Sequence, residues 1–153
     1  CKANAILYQM QSTNQKLASL DIDIEYNRNY ADSKMVYDKC KSCPNEGCFI
    51  KESNYQLTDS SPDMIIHHRG LNDNNQVIIE FKKVSNRSNR ERDDDKAKLI
   101  YFTCQRPFPD HEKENYQYRI GFFIDLDIDK YLVTTYQDAN FVDLRCRRGG
   151  VWL

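Results

Sequence analysis

The sequence predicts a domain of the α/β class, with a mixed central sheet flanked by helices. Helix-like and strand-like patterns follow one another in the order helix, three strands, helix, strand, with extra strands at the C-terminal end. A length of 153 residues suits one domain with a sizeable core, and 40% apolar with 29% charged residues is typical of a globular protein. We therefore expect residues 1–153 to form a single domain.

The first part of the chain predicts a helix and then a strand. Residues 3–18 carry apolar side chains at roughly helical spacing, without glycine or proline. From Leu20 to Arg28 apolar and polar residues alternate strictly, which is typical of a half-buried strand. The acidic face of this strand either meets solvent or contributes Glu25 to a site.

Residues 29–61 form a polar insertion that is long for a loop, which indicates function, a metal or local structure of its own. It holds Cys40, Cys43 and Cys48 within nine residues. A structural zinc site needs four ligands, so a fourth would have to come from elsewhere in the chain. Free thiols or a single disulfide are the alternatives. We interpret the cysteines as reduced thiols or metal ligands of a cytoplasmic protein.

The central stretch predicts a β-hairpin. Its strands are Pro62–Arg69 and Gln76–Lys83, joined by a polar turn at Gly70–Asn75. Asp-Asn-Asn favours a turn because short amide and carboxylate side chains bond their own backbone.

The second hairpin strand carries charges that folding alone does not require. A period of two places Ile78, Glu80 and Lys82 on one face and three apolar residues on the other. Asp63 stands near the start of the partner strand, where antiparallel pairing would bring it close to Glu80. Two such carboxylates bind a cation such as Mg²⁺ or Mn²⁺, or else they keep a proton.

After the hairpin come a basic loop, a helix at Asp95–Gln105 and a strand at 116–128. Acidic residues at Asp94 and Asp95 suit the positive end of a helix dipole. The tail then offers two short strands, LVTTY and FVDLRC.

Pro62-Asp63, followed on the next strand by Glu80-Phe81-Lys82, resembles the motif of the PD-(D/E)XK nuclease superfamily, whose members have the restriction-endonuclease-like fold. The predicted element order from Ala3 to Ile128 is also similar to the αβββαβ core of that superfamily. The resemblance implies that Asp63 and Glu80 are metal ligands, that the backbone carbonyl of Phe81 is a further ligand, and that Lys82 is the catalytic lysine.

The resemblance departs from the superfamily pattern on the first helix, where many members carry another acid. No Asp or Glu lies between Lys2 and Ser19, so Glu25 is the expected substitute. Asp95 and Lys98 could also face the site, although an acid at this position is more often a helix-start residue than a metal ligand.

The function implied is a Mg²⁺-dependent nuclease that hydrolyses phosphodiester bonds, with DNA as the expected substrate. The net charge of −1 gives no global attraction to nucleic acid, so local cations must supply it: Lys83, Arg87 and Arg90. No apolar run approaches the roughly 18 residues of a membrane span.

Two other functions stay open at this point. The same fold could serve as a non-catalytic module that binds nucleic acid or protein, stabilised by zinc at the cysteine cluster. A cysteine hydrolase built from Cys104 and His111 is a third possibility. His67 shares the predicted face of Asp63, so it either lines the site or is a polar strand end.

Overall fold

A mixed sheet forms the centre of the structure, a computed structural model that describes residues 9, 11, 19–24, 35–37, 57–69, 74–105, 116–148 and 151–152. Its elements are β1 (Asp21–Ile24), β2 (Met35–Tyr37), β3 (Leu57–Asp59), β4 (Met64–His67), β5 (Val77–Lys83), α1 (Asn89–Thr103), β6 (Ile120–Leu126), β7 (Lys130–Gln137), β8 (Asn140–Arg148) and β9 (Val151–Trp152).

Seven strands pair in the order β1-β4-β5-β6-β7-β8-β9. Neighbours are antiparallel except β5 and β6, which are parallel because α1 connects them as a crossover. The predicted α/β class with a mixed sheet is therefore confirmed. Extra strands at the C-terminal end are confirmed too, since β7, β8 and β9 extend the sheet beyond β6.

Within the predicted insertion, β2 and β3 pair as a separate two-stranded antiparallel sheet. Three-residue strands are too short to leave a periodic signal in the sequence. The sequence therefore indicates an insertion at residues 29–61 but does not locate the two strands within it. The predicted first helix lies almost wholly outside the described residues, of which Gln9 and Gln11 are helical.

Helix α1 begins six residues before the predicted start at Asp95. Ser88 is its N-cap, with its Oγ accepting a hydrogen bond of 3.3 Å from the backbone N–H of Glu91. A serine followed three residues later by a glutamate is the capping-box pattern, and it marks the helix start better than the later acidic run. The prediction that Asp95 opens the helix is therefore wrong, because Asp95 lies in its second turn.

The main core lies between α1 and one face of the sheet. Ile65 and Ile78 of adjacent strands meet Leu99 and Phe102 of α1, and all four are fully buried. On β5 this face is the one that also carries Glu80 and Lys82. Glu80 and Lys82 therefore lie on the side of the sheet that α1 covers, whereas Lys83 at the end of β5 is exposed.

Gly121 of β6 allows α1 to approach the sheet closely. A Cβ at this position would lie 3.0 Å from Cγ2 of Thr103 and 3.4 Å from Cδ2 of Leu99. Both atoms belong to α1, so the absence of a side chain at Gly121 sets the spacing between the helix and the sheet. This spacing also fixes how far α1 stands from the charged end of β5.

Strands β7 and β8 form a hairpin whose turn residues Asp138 and Ala139 have positive φ angles of 44° and 62°. Two consecutive left-handed residues match the twist of a tight hairpin. In the part of the chain that the structure describes, no helix is long and apolar enough to cross a membrane.

Candidate active site

Asp63 and Glu80 stand opposite each other on neighbouring strands. The antiparallel register pairs Met64 with Ile79, so the next position outward pairs Asp63 with Glu80. Oδ2 of Asp63 accepts a hydrogen bond of 2.7 Å from the backbone N–H of Phe81. This bond orients the Asp63 carboxylate toward β5, so the sequence-predicted approach of the two acids is realised.

Glu80 is a buried acid, with only 3% of its surface exposed. Burial raises the pKa of its carboxyl group and the negative charge of Asp95 adds to the rise, while Lys98 opposes it, so that the resulting pKa is about 8. Asp63 contributes through its charge and through a hydrogen bond to Glu80. Glu80 therefore holds a proton at pH 7, as expected for two facing carboxylates without a cation.

The second oxygen of Glu80 is not satisfied. Its Oε1 is buried and has no hydrogen-bond partner among the described residues. An unpaired buried acceptor costs about 1–3 kcal/mol, which a bound cation or a water would recover. The orphan atom therefore fits a ligand position.

Lys82 is held by an acid from the helix. Its Nζ lies 2.7 Å from Oδ2 of Asp95, and Nζ of Lys98 lies 3.0 Å from Oδ1 of the same carboxylate. Asp95 is 5% exposed. The hydrogen bond to Asp95 raises the pKa of Lys82, against the opposing effect of burial. Lys82 is therefore a cation at neutral pH and not a proton acceptor.

A cleft of about 300 Å³ borders the site at the end of β5. Asp63 and Lys82 both line it, together with Lys83, whereas Glu80 is buried beside it and does not belong to the lining. Leu126 and Ile24 form apolar parts of the rim and are exposed. A phosphate group in this cleft would contact the ammonium groups of Lys82 and Lys83 and would lie beside the Asp63 carboxylate.

Of the cations predicted to contact nucleic acid, Lys83, Arg87 and Arg90 are all exposed. Arg90 lies 3.9 Å from Asp94 on the first turns of α1. Arg92 has a different role, because it pairs with Asp125 and donates to the carbonyls of Lys83 and Asn86. These contacts connect the loop between β5 and α1 to β6.

His67 does not join the acidic pair. Its Nε2 lies 2.8 Å from Oδ2 of Asp23 on β1, which also pairs with Arg69. His67 stands at the opposite end of β4 from Asp63 and is 2% exposed. The interactions with Arg69 and His67 keep the pKa of Asp23 low although burial opposes them. The hypothesis that His67 lines the site beside Asp63 is therefore wrong, because His67 pairs with Asp23 instead.

Several predicted residues lie outside the described part of the chain: Glu25, Cys40, Cys43, Cys48 and His111. Cys104 is described and packs in the main core with 4% of its surface exposed. Such burial does not suit a nucleophile that must reach a substrate.

Asp95 is the residue whose function the sequence left undecided. Its spacing from Lys98, Leu99 and Phe102 puts all four on one face of a helix. Since Leu99 and Phe102 are the apolar residues that must meet the sheet, this spacing already indicates that Asp95 points toward β5.

Among the described residues, no group of three or more His, Cys, Asp or Glu side chains is arranged to hold a metal ion. Asp63 and Glu80 alone are a two-carboxylate set, which suits Mg²⁺ because that ion retains several waters. Comparisons of the chain with protein-family models, with curated proteins and with solved structures found no match.

Proposed function

We propose that this chain is a metal-dependent nuclease of the restriction-endonuclease-like fold. The observation that carries the proposal is the placement of Asp63 opposite Glu80, with Lys82 following on the same face of β5. Three adjacent antiparallel strands of the main sheet (β1, β4 and β5), a crossover helix and a parallel fourth strand support the fold proposal. Within this sheet they follow the chain order βββαβ, and the intervening β2 and β3 pair in a separate sheet.

In this proposal Asp63 and Glu80 hold a Mg²⁺ or Mn²⁺ ion, with the Phe81 carbonyl and Glu25 as further candidates. When bound, such an ion lowers the pKa of a coordinated water and neutralises charge on a phosphoryl oxygen. Glu80 must release its proton to become a ligand. The backbone N–H of Phe81 keeps Asp63 oriented throughout.

Lys82 acts through its positive charge. Because Asp95 stabilises the ammonium form, Lys82 stabilises the negative charge that develops on the phosphate in the transition state rather than deprotonating a water. Asp95 is a positioning residue, since it holds Nζ of Lys82 at 2.7 Å and does not line the cleft.

Lys83, Arg87 and Arg90 supply the contacts to the nucleic-acid backbone. All three are exposed and follow the site along the chain, from the end of β5 to the first turn of α1. Each phosphate neutralised adds to a salt-dependent part of the affinity.

The test is cleavage of plasmid DNA and of single-stranded DNA and RNA oligonucleotides with Mg²⁺ or with EDTA. We expect cleavage only with the metal, and a loss of about 100-fold or more in Asp63→Asn and Lys82→Ala. Asp63→Asn retains an oxygen for the Phe81 N–H, so it removes charge with little effect on folding.

Lys130→Ala is the matched control, because Lys130 is a partly exposed lysine of β7 that does not line the cleft. It should cleave like the unmodified protein. Cleavage that survives both EDTA and Lys82→Ala would contradict the proposal. Metal-independent binding of nucleic acid without cleavage would instead identify a non-catalytic binding module.

A further inference from the structure

A second cleft, of about 600 Å³, lies at the other pole of the sheet, where β5 and β6 begin and β7 ends. Its eight lining residues comprise six carboxamides, three of them consecutive at positions 74–76, with Arg119 and Asp138. Seven residues of β-strand at about 3.3 Å each separate Asn75 from Lys82, so this cleft is about 20 Å from the acidic site. It is a separate feature of the molecule.

Asn75 at the base of β5 has a buried acceptor without a partner. The residue is 5% exposed, and its Nδ2 donates to the backbone carbonyl of Tyr116 at 2.5 Å. That contact fixes which end of the amide is nitrogen. Its Oδ1 has no hydrogen-bond partner among the described residues. Asn75 lines the cleft, so a ligand that donates a hydrogen bond there would satisfy this oxygen.

Two glutamines of the cleft have their nitrogens engaged in the same way. Nε2 of Gln105 donates to the carbonyls of Thr103 and Tyr118 at 3.0 and 3.1 Å. Nε2 of Gln117 donates to the carbonyl of Gln105 at 3.2 Å. Backbone carbonyls thereby orient both amides, although Gln117 keeps one N–H for a further partner, and in the described part of the chain neither side-chain oxygen accepts a hydrogen bond. These two oxygens and Oδ1 of Asn75 are therefore oriented acceptors in the cleft lining.

Arg119 adds a positively charged hydrogen-bond donor to the lining of the cleft. Its backbone N–H donates to the carbonyl of Asn75 at 3.0 Å, which anchors it beside that residue. Its side chain is exposed, and within the described residues it forms no ion pair. A guanidinium binds a phosphate through charge-assisted hydrogen bonds. The ligand that fits has several N–H donors at one end and an anionic group at the other.

We propose that this cleft binds a nucleotide whose base carries an exocyclic amine, with the amine at the carboxamide oxygens and the phosphate at Arg119. Adenine, cytosine and guanine each have such an amine, whereas uracil and thymine do not. The nucleotide is either free or part of a single strand. This proposal does not rest on the nuclease proposal, because it uses none of the residues of the acidic site.

The test is calorimetric titration of the protein in EDTA with AMP, CMP, GMP and UMP, with adenosine, and with a short single-stranded oligonucleotide. EDTA prevents metal-dependent cleavage. We expect the amine-bearing nucleotides to bind at least about fivefold more tightly than UMP. Binding of mononucleotides would identify a free ligand, whereas binding of the oligonucleotide alone would identify a strand, and either supports the proposal if Arg119→Ala weakens it.

Arg119→Ala should weaken the binding of AMP about tenfold and leave the binding of adenosine unchanged, since only the nucleotide has the phosphate. Arg145→Ala, an exposed arginine of β8 that is remote from the cleft lining, is the matched control and should bind AMP normally. Asn75→Ala should also weaken AMP, provided that circular dichroism gives a native spectrum.

Three results would overturn the proposal: no saturable binding of any nucleotide or of the oligonucleotide at millimolar concentration, measurable binding of UMP that is as tight as that of AMP, or an Arg119→Ala variant that binds AMP or the oligonucleotide as tightly as the unmodified protein does. If the protein does not cleave nucleic acid, so that the role proposed for Asp63 and Lys82 is wrong, the expected results of these titrations stay the same.

Discussion

Lys82 and Asp95 form an ion pair of 2.7 Å that joins the end of β5 to the second turn of α1. The Asp95 carboxylate also pairs with Lys98, so one buried carboxylate binds two lysines. The pair places the ammonium of Lys82 on the face that carries Glu80. The negative charge of Asp95 also raises the pKa of Glu80, after the larger effect of burial, and so favours the protonated form of Glu80.

Asp95→Asn should destabilise the fold by about 1–3 kcal/mol, since it removes the counter-charge of two partly buried lysines. The measurement is urea unfolding at pH 7. Asp94→Asn is the matched control, because the Asp94 side chain is 63% exposed and its only described ion pair, with Arg90, spans 3.9 Å. It should change the free energy of unfolding by less than about 0.5 kcal/mol. Equal effects of the two variants would contradict the role assigned to Asp95.

The raised pKa of Glu80 makes stability depend on pH in the absence of metal. Between the ordinary carboxyl value of 4.5 and about 8, the folded protein holds a proton that the unfolded chain has released. The free energy of unfolding therefore falls as the pH rises through this window, by up to about 1.4 kcal/mol per pH unit.

Glu80→Gln removes this titration, so in EDTA it should be more stable than the unmodified protein at pH 8 and lose most of that advantage at pH 5. Urea unfolding at pH 5, 6, 7 and 8 measures the difference. Glu91→Gln, an exposed glutamate of α1, should follow the unmodified profile. Parallel profiles for Glu80→Gln and the unmodified protein would show that Glu80 ionises normally.

Gly121→Ala should destabilise the protein by about 1–3 kcal/mol, because the new Cβ would lie 3.0 Å from Cγ2 of Thr103. Thermal unfolding measures the loss. Thr103→Ser removes that methyl group and keeps the hydroxyl that donates to the Leu99 carbonyl at 2.9 Å. The double variant should therefore recover part of the stability lost in Gly121→Ala. If Thr103→Ser gives no recovery, the contact with α1 does not determine the need for glycine.

Much of the architecture could be predicted because its signals are local. Strict alternation identified β1, and the alternating run at 77–83 identified β5 together with the face of Glu80 and Lys82. The approach of Asp63 to Glu80 followed from antiparallel pairing across a polar turn. These features depend on the strand period, which a single sequence displays directly.

Other features depend on contacts between distant parts of the chain. The sequence showed an acidic run at 93–95, and its dipole preference suggested a helix start there, whereas the Ser88 cap determines the true start. The partners of His67 and Lys82 are on other elements, so their pairing with Asp23 and Asp95 required the tertiary arrangement. The raised pKa of Glu80 required its burial, which α1 provides and which the pattern of β5 alone does not contain.

We propose that Asp63 and Glu80 bind a divalent cation and that the cation displaces the proton of Glu80. Calorimetric titration with Mg²⁺ at pH 7, in two buffers of different ionisation enthalpy, measures both the binding and the proton release. We expect saturable binding at millimolar Mg²⁺ with release of up to about one proton per ion, since Glu80 has a pKa of about 8. We also expect Asp63→Asn to lose that binding and Glu80→Gln to lose the proton release. Absence of saturable binding in the unmodified protein, or unchanged binding in the double variant Asp63→Asn/Glu80→Gln, would show that the two carboxylates do not form a cation site.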